Sequence, residues 1–421
     1  MGGILNPVCV QFSCSMPPSR LHAVDGMRVI AEYFVVRHHV LHKASDGDWY
    51  PGVDLMSLFF VLSGFSMMFA FECEDLSTWK DRLCFWRKRL GPVYALFLIH
   101  WLCWLPYTIQ TGPLSGACLY QQVCPWLQLA WLDSWVGCGW DVPNYPSWYL
   151  SCQVWFWVAF PLIKDFLVER LSTRGNTWVK LGALHAVSTC LFLAAWRLPI
   201  ATLIGFPPFR FWEFVIGCGA ALALHKPVPA WLDNGRHWYI LAVVVALYVA
   251  CTMNHTVNWF CLHQGPRNRC SPWDEPADRV GPLVAPCNTW ADKVLSKNAL
   301  VWAAVLHCVA RSELDGTGGW PVQGLGSLRV LSGMSLNLYL GHVNMLLFIE
   351  WVGEQLLGIG KTDWLADTKV FLVYLACYGL HRLMLGAAER WKESDQDEGE
   401  RAQETEMLVV VKTEEQVAAG C

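Results

Sequence analysis

Residues 28–40 read RVIAEYFVVRHHV. Apolar side chains separate Arg28, Glu32, Arg37, His38 and His39. On an α-helix, which turns about 100° per residue, these polar groups do not scatter. With Arg28 at zero, Glu32 falls at about 40° and His39 at about 20°. The flanking Asp25 falls at about 60° and His42 at about −40°. Five polar residues therefore share one face of an otherwise apolar helix over residues 21–42. Arg28 and His39 lie three turns apart, about 16 Å along the axis. Such a stripe must face a protein interior or a wet cavity, because an ionisable group in lipid costs several kcal/mol. Arg37 points the other way, near the outer end, where it can snorkel.

The rest of the chain supplies a matching environment. Of 421 residues, 54% are hydrophobic and only 16% are charged, and there are 25 Trp. The mean hydropathy is positive. A soluble chain of this length needs more surface charge. A spanning helix needs about 20 mostly apolar residues. Segments 53–71, 91–107, 147–163, 179–196, 208–224, 238–253, 298–310, 330–351 and 367–386 qualify. With 21–42, they predict an all-α, polytopic membrane bundle of about ten helices. Residues 1–20 are expected to be a cytoplasmic N-terminal segment and 21–388 the transmembrane domain. Residues 389–421 form an acidic tail expected to be disordered and cytoplasmic. No cleaved signal peptide and no internal repeat is read from the sequence.

Lys and Arg favour cytoplasmic loops. Lys80, Arg82, Arg87, Lys88 and Arg89 follow the second span, Lys164, Arg170 and Arg174 the fourth, and Lys226 and Arg236 the sixth. The alternate loop 111–147 has none. Both termini are therefore predicted cytoplasmic, in an endomembrane or the plasma membrane. Cys118, Cys124, Cys138, Cys261, Cys270 and Cys287 fall in the two long non-cytoplasmic loops, where an oxidising lumen permits disulfides. Asn254-His255-Thr256 is a glycosylation sequon on the same side. The formal net charge of −4 comes from the tail, since the remainder carries 27 bases against 25 acids. That balance does not suggest a nucleic-acid surface. No metal constellation and no glycine-rich phosphate loop is present.

Several stretches together resemble the acyltransferase 3 family of integral membrane acyltransferases. Residues 24–39, VDGMRVIAEYFVVRHH, resemble its Asp-Gly-x-Arg opening and its Arg followed, after ten intervening residues, by His. Residues 52–65, GVDLMSLFFVLSGF, resemble its second-span signature. Residues 87–94, RKRLGPVY, resemble the basic stretch before the third span. Residues 210–217, RFWEFVIG, match Arg-x-x-Glu-Phe-x-x-Gly. Residues 333–342, GMSLNLYLGH, resemble Gly-x-x-Ser-x-x-x-Tyr-Leu-x-His, with one residue fewer between the Gly and the Ser. The resemblance covers about residues 20–386. At 147–161, SWYLSCQVWFWVAFP, the family has Trp-Ser-Leu-x-x-Glu. Here Tyr149 replaces the Ser and Gln153 the Glu, and Gln cannot carry a charge.

The resemblance implies transfer of an acyl group, typically from acyl-CoA, to a hydroxyl of a carbohydrate, lipid or other acceptor, with no tightly bound cofactor. A hydroxyl needs a base to become a nucleophile. His39 is the candidate base, because imidazole exchanges protons near neutral pH, and Asp25 or Glu32 is placed to orient or balance charge. Arg28 is the candidate grip on donor phosphate, since guanidinium is always charged and fork-shaped. Arg87 and Arg89 are further donor candidates, although a basic loop is also a plain topology signal. Trp148, Gln153, Arg210, Glu213, Tyr339 and His342 are candidates for lining the acceptor site. For each of these packing is the competing reading, and Arg210–Glu213 has the spacing of a buried structural pair. Ser63 and Gly64 read as close helix packing, not as a nucleophile site. A proton-coupled transporter and a catalytically silent relative are the rival functions. Gln153 motivates the second, and the absence of a repeated polar stripe weakens the first.

Overall fold

The computed structural model describes residues 20–42, 55–111, 119–136, 138, 144–172, 176–194, 205–225, 298–358 and 367–386. Among them every regular element is helical. In chain order these are α1 (His22–His42), α2 (Leu55–Phe71), α3 (Trp79–Thr111), α4 (Leu119–Leu129), α5 (Asp133–Val136), α6 (Trp148–Ser172) and α7 (Thr177–Ala194). There follow α8 (Pro207–Leu222), α9 (Ala299–Leu314), α10 (Gly319–Ser327), α11 (Arg329–Ser332), α12 (Ser335–Leu357) and α13 (367–386). The expected spans fall on these helices except 238–253, which lies outside the described residues, as do the sequon, most of segment 1–20, and the tail. Span 330–351 is broken at Gly333 into α11 and α12. Among the described helices, α6 alone is long and apolar enough to cross a membrane by that measure, and α2 is apolar but shorter.

Helix directions follow from contacts that keep a constant sequence offset. On α2 and α8, Ser57 meets Arg210, Gly64 meets the backbone beside Gly217, and Glu72 meets His225. The two helices therefore run parallel and in step. α6 runs parallel to α2 as well, with Tyr149 on Phe59 and Gln153 on Ser63. α9 runs parallel to α8, with His307 on the Ala220 carbonyl and Arg311 on that of Leu224. α12 runs parallel to α1, pairing Ser335 with Glu32 and His342 with His39. α1 opposes the first group, because the end of α9 meets its start: the Glu313 carboxylate accepts the His22 and Ala23 backbone N–H groups at 2.7 and 2.9 Å. That carboxylate satisfies two of the four donors a helix N-terminus leaves open.

The α2–α8 crossing sets the core. Both helices are buried over most of their length, and their backbones touch at two glycines. A Cβ on Gly64 would lie 1.9 Å from the Phe214 carbonyl oxygen, and one on Gly217 would lie 2.0 Å from that of Val61. Glycine is required there by space and not by backbone conformation. Phe60, Phe65, Phe156, Phe160 and Phe214 fill the volume around the crossing. Lys164 of α6 donates to the carbonyls of Phe71, Glu72 and Glu74, so a buried ammonium caps the end of α2. In the 111–147 loop, Cys124 and Cys138 form a disulfide.

Gly64→Ala and Gly217→Ala are each expected to destabilise by roughly 3 kcal/mol, the upper end for overpacking against backbone. Gly91→Ala, with nothing within 4 Å of the added methyl, is expected to be neutral or slightly stabilising. Thermal unfolding of the purified chain in detergent separates these outcomes.

Candidate active site

The polar face of α1 is buried against residues from distant parts of the chain. At its start Asp25, 6% exposed, accepts from Arg20 and from Arg28 Nη1 at 3.3 Å. Arg20 also donates to Ser332 on α11. Two turns on from Asp25, Glu32 accepts from the Ser335 hydroxyl. Two turns further, His39 Nδ1 lies 2.8 Å from His342 Nε2, with ring centroids 4.8 Å apart. The side chain of His42 lies outside the described residues.

The hydrogen bonds of the histidine pair fix its tautomers. His342 is buried, and its Nδ1 sits 2.7 Å from the Tyr339 carbonyl oxygen and 3.2 Å from that of Leu338. A carbonyl only accepts, so Nδ1 carries the proton and the neutral ring accepts at Nε2. His39 Nδ1 must then donate to it, which puts the lone pair of His39 on Nε2. If Nε2 takes a proton, the Nδ1–H bond to His342 becomes charge-assisted and strengthens.

A second wall comes from α6. Tyr149, Gln153 and Trp157 follow one another at intervals of four residues, on one face. Tyr149 donates to the Phe59 carbonyl at 3.2 Å, and its ring packs 5.3 Å from Tyr339. Gln153 Nε2 donates to Ser63 Oγ, which also accepts from Trp157 Nε1 at 3.2 Å. The Arg89 guanidinium stacks on Trp157 at 4.7 Å. The charges of Arg28 and Arg89 act on each other and both reach Tyr149. Two arginines thus converge at one end of the polar face, and two histidines meet at the other.

Of the residues singled out in the sequence, Asp25, Arg28, Glu32, His39, Arg89, Gln153, Tyr339 and His342 border this face. Arg87 is exposed on the side of α3 away from Arg89. Arg210 and Glu213 form a buried pair at 2.7 Å, with Arg210 against the far side of the Phe60 ring. From Arg210 the rings of Phe60, Tyr149 and Tyr339 follow one another in contact before His342 is reached. Trp148 packs on Phe60 and Tyr149 at the rim. Arg37 pairs with Asp367 at 3.4 Å at the start of α13. Among the described residues no cluster of His, Cys, Asp and Glu has metal-ligand geometry.

Several further polar groups were not singled out. His100 is buried beside Gly341, and its Nε2 donates to Asn337 Oδ1 at 2.7 Å; Asn337 Nδ2 in turn donates to the Cys377 carbonyl. Asn144 Nδ2 donates to the Leu340 carbonyl, and Tyr339 donates to that of Pro146, tying the turn before α6 to α12. Glu350 and Lys369 form a buried pair at 3.0 Å between α12 and α13. The signal for His100, Glu350 and Lys369 was the rule that flagged α1, an ionisable residue inside an apolar run.

With this geometry in place, the comparison with known families is specific. The acyltransferase domain of the acyltransferase 3 family matches residues 21–380, most of the chain. The chain belongs to that family. It is similar to "Acyltransferase MdmB" of Streptomyces mycarofaciens, with 29% identity over 242 residues. That match covers 51% of this chain and 60% of the relative, so the chain spans less than two thirds of the relative's length. No solved structure matches the chain.

His342→Phe keeps the ring volume but removes the acceptor that fixes His39. Acyl transfer is expected to fall about 10²-fold with little change in donor KM, as for loss of an orienting partner of a general base. Steady-state kinetics on both proteins measure this.

Proposed function

We propose that this chain is a membrane-embedded O-acyltransferase that moves an acyl group, an acetyl group in the simplest case, from acyl-CoA to a hydroxyl acceptor, with His39 as general base. The observation that carries this reading is the polar face of α1, with an oriented histidine at one end and, at the other, Arg28 held by Asp25 with the charge of Arg89 acting on it. The acceptor is a carbohydrate or lipid hydroxyl, and the acyl donor is a substrate, not a resident cofactor.

The hydroxyl proton passes to Nε2 of His39 as the oxygen attacks the thioester carbonyl carbon. The carbon–sulfur bond then breaks, and the leaving thiolate takes the proton back from Nε2. The products are an ester and free coenzyme A, and the histidine is restored. His342 holds the His39 ring through its Nδ1–H and supports the transient imidazolium, the role an acid plays in a catalytic triad. Arg28 and Arg89 grip the donor phosphates, with Asp25 aiming Arg28. Glu32, bonded to Ser335, balances charge midway. Three helical turns separate Arg28 from His39, about 16 Å, a span suited to a long donor.

Membrane embedding is supported by the inverted pattern of the surface. Ionisable groups are turned inward on α1, α8 and α12, while large apolar side chains are turned outward. Val179 is 68% exposed, Phe371 65% and Leu383 71%. Lipid covers such a surface without cost, whereas water does not. The parallel pairs of α1 with α12, and of α2 with α6, α8 and α9, have the alternation of successive membrane crossings, and the Lys and Arg of every second loop support cytoplasmic termini.

Free-thiol release from acetyl-CoA, with and without a crude glycan or lipid pool, tests the reading. The chain in membranes is expected to release thiol faster when acceptor is present. Arg28→Lys is expected to raise donor KM about tenfold with little loss in kcat, the effect of losing one bidentate contact. Release that ignores the acceptor, or an unchanged donor KM, contradicts it.

A further inference from the structure

Gln153 stands where the family pattern has an acid, and its two polar atoms are treated unequally. The side chain is 1% exposed. Nε2 donates to Ser63, whereas Oε1 is buried and has no hydrogen-bond partner among the described residues. A buried carbonyl left without a donor costs about 1–3 kcal/mol. An apolar residue of the same volume would avoid that cost, so the acceptor points to a group that arrives only with a ligand.

Its position says which kind of donor. Gln153 lies one helical turn from Trp157, on which Arg89 stacks, and one turn in the other direction from Tyr149, which packs on Tyr339 below His342. A molecule reaching from the arginine pair to the histidine pair passes this side chain midway. If the donor is acyl-CoA, as proposed above, the part that lies midway is the pantetheine arm. That arm carries two secondary amides between the phosphates and the sulfur, and each amide offers one N–H. A neutral acceptor suits it better than an acid here, because a carboxylate would compete with the phosphates for Arg28 and Arg89.

We infer that Gln153 Oε1 accepts a hydrogen bond from a pantetheine amide N–H of the acyl-CoA donor, and so positions the thioester along α1. The inference rests on the acyl-CoA reading, and its test separates the two. Binding of coenzyme A, and of two analogues in which one pantetheine amide or the other is an ester, is measured on the full chain in lipid nanodiscs. One ester analogue is expected to bind the native chain about tenfold more weakly than coenzyme A. Gln153→Met, which keeps the volume and removes the acceptor, is expected to bind coenzyme A about tenfold more weakly and to show no further loss with the ester. Gln153→Glu, which keeps an acceptor, is expected to retain the discrimination. An ester penalty equal in the native chain and Gln153→Met, or no penalty in the native chain, overturns the assignment while leaving the donor reading intact. Failure of the native chain to bind coenzyme A overturns both.

Discussion

Burying the polar face of α1 is the constraint to which the other helices answer. Asp25, Glu32 and His39 lie on a helix surrounded by apolar neighbours, and each needs a partner of the right chemistry at the right height. An uncompensated buried charge costs several kcal/mol, more than a weak contact elsewhere can offset. The partners come from about 300 residues further along the chain: Ser332 through Arg20, Ser335 and His342. Because Ser335 and His342 meet α1 at the same offset of 303, α12 can only run parallel to it and in step. The same matching that satisfies the helix also gives His39 its acceptor, so in the proposed mechanism stability and chemistry draw on one set of bonds.

The glycines in the motif-bearing segments have a physical reason that runs through the whole bundle. Gly26, between Asp25 and Arg28, lets the Leu325 backbone approach, and a Cβ there would lie 1.9 Å from its carbonyl oxygen. Gly64 and Gly217 let α2 and α8 touch. Gly341, next to His342, makes room for His100, whose Cε1 would lie 2.6 Å from an added Cβ. Gly26 and Gly341 stand beside polar residues of the site, whereas Gly64 and Gly217 serve the backbone contact between α2 and α8.

The stripe on α1 was legible in the sequence because helical spacing alone puts Asp25, Arg28, Glu32 and His39 on one side. Its partners were not. Nothing local ties Ser335 to Glu32, and only the family resemblance marked His342. Arg210 and Glu213 were legible as a pair from their spacing, but the rings of Phe60, Tyr149 and Tyr339 that lie in series between them and His342 are a tertiary fact. The break of span 330–351 at Gly333 and the disulfide partners in the 111–147 loop were equally beyond periodicity. Gln153 was visible as a departure from the family pattern, yet only the folded chain distinguishes its bonded nitrogen from its unpartnered oxygen. His100 could have been found by the rule applied to α1, since it interrupts the apolar run YALFLIHWLCW.

The central claim is that His39 takes the acceptor proton while the arginine end holds the donor. Single-turnover transfer from labelled acetyl-CoA, followed in the native chain and in His39→Ala alongside coenzyme A binding, tests it most directly. The account predicts transfer slowed about 10²–10⁴-fold with donor affinity nearly unchanged, as expected for removal of a general base. Equal transfer rates in the two proteins would contradict it.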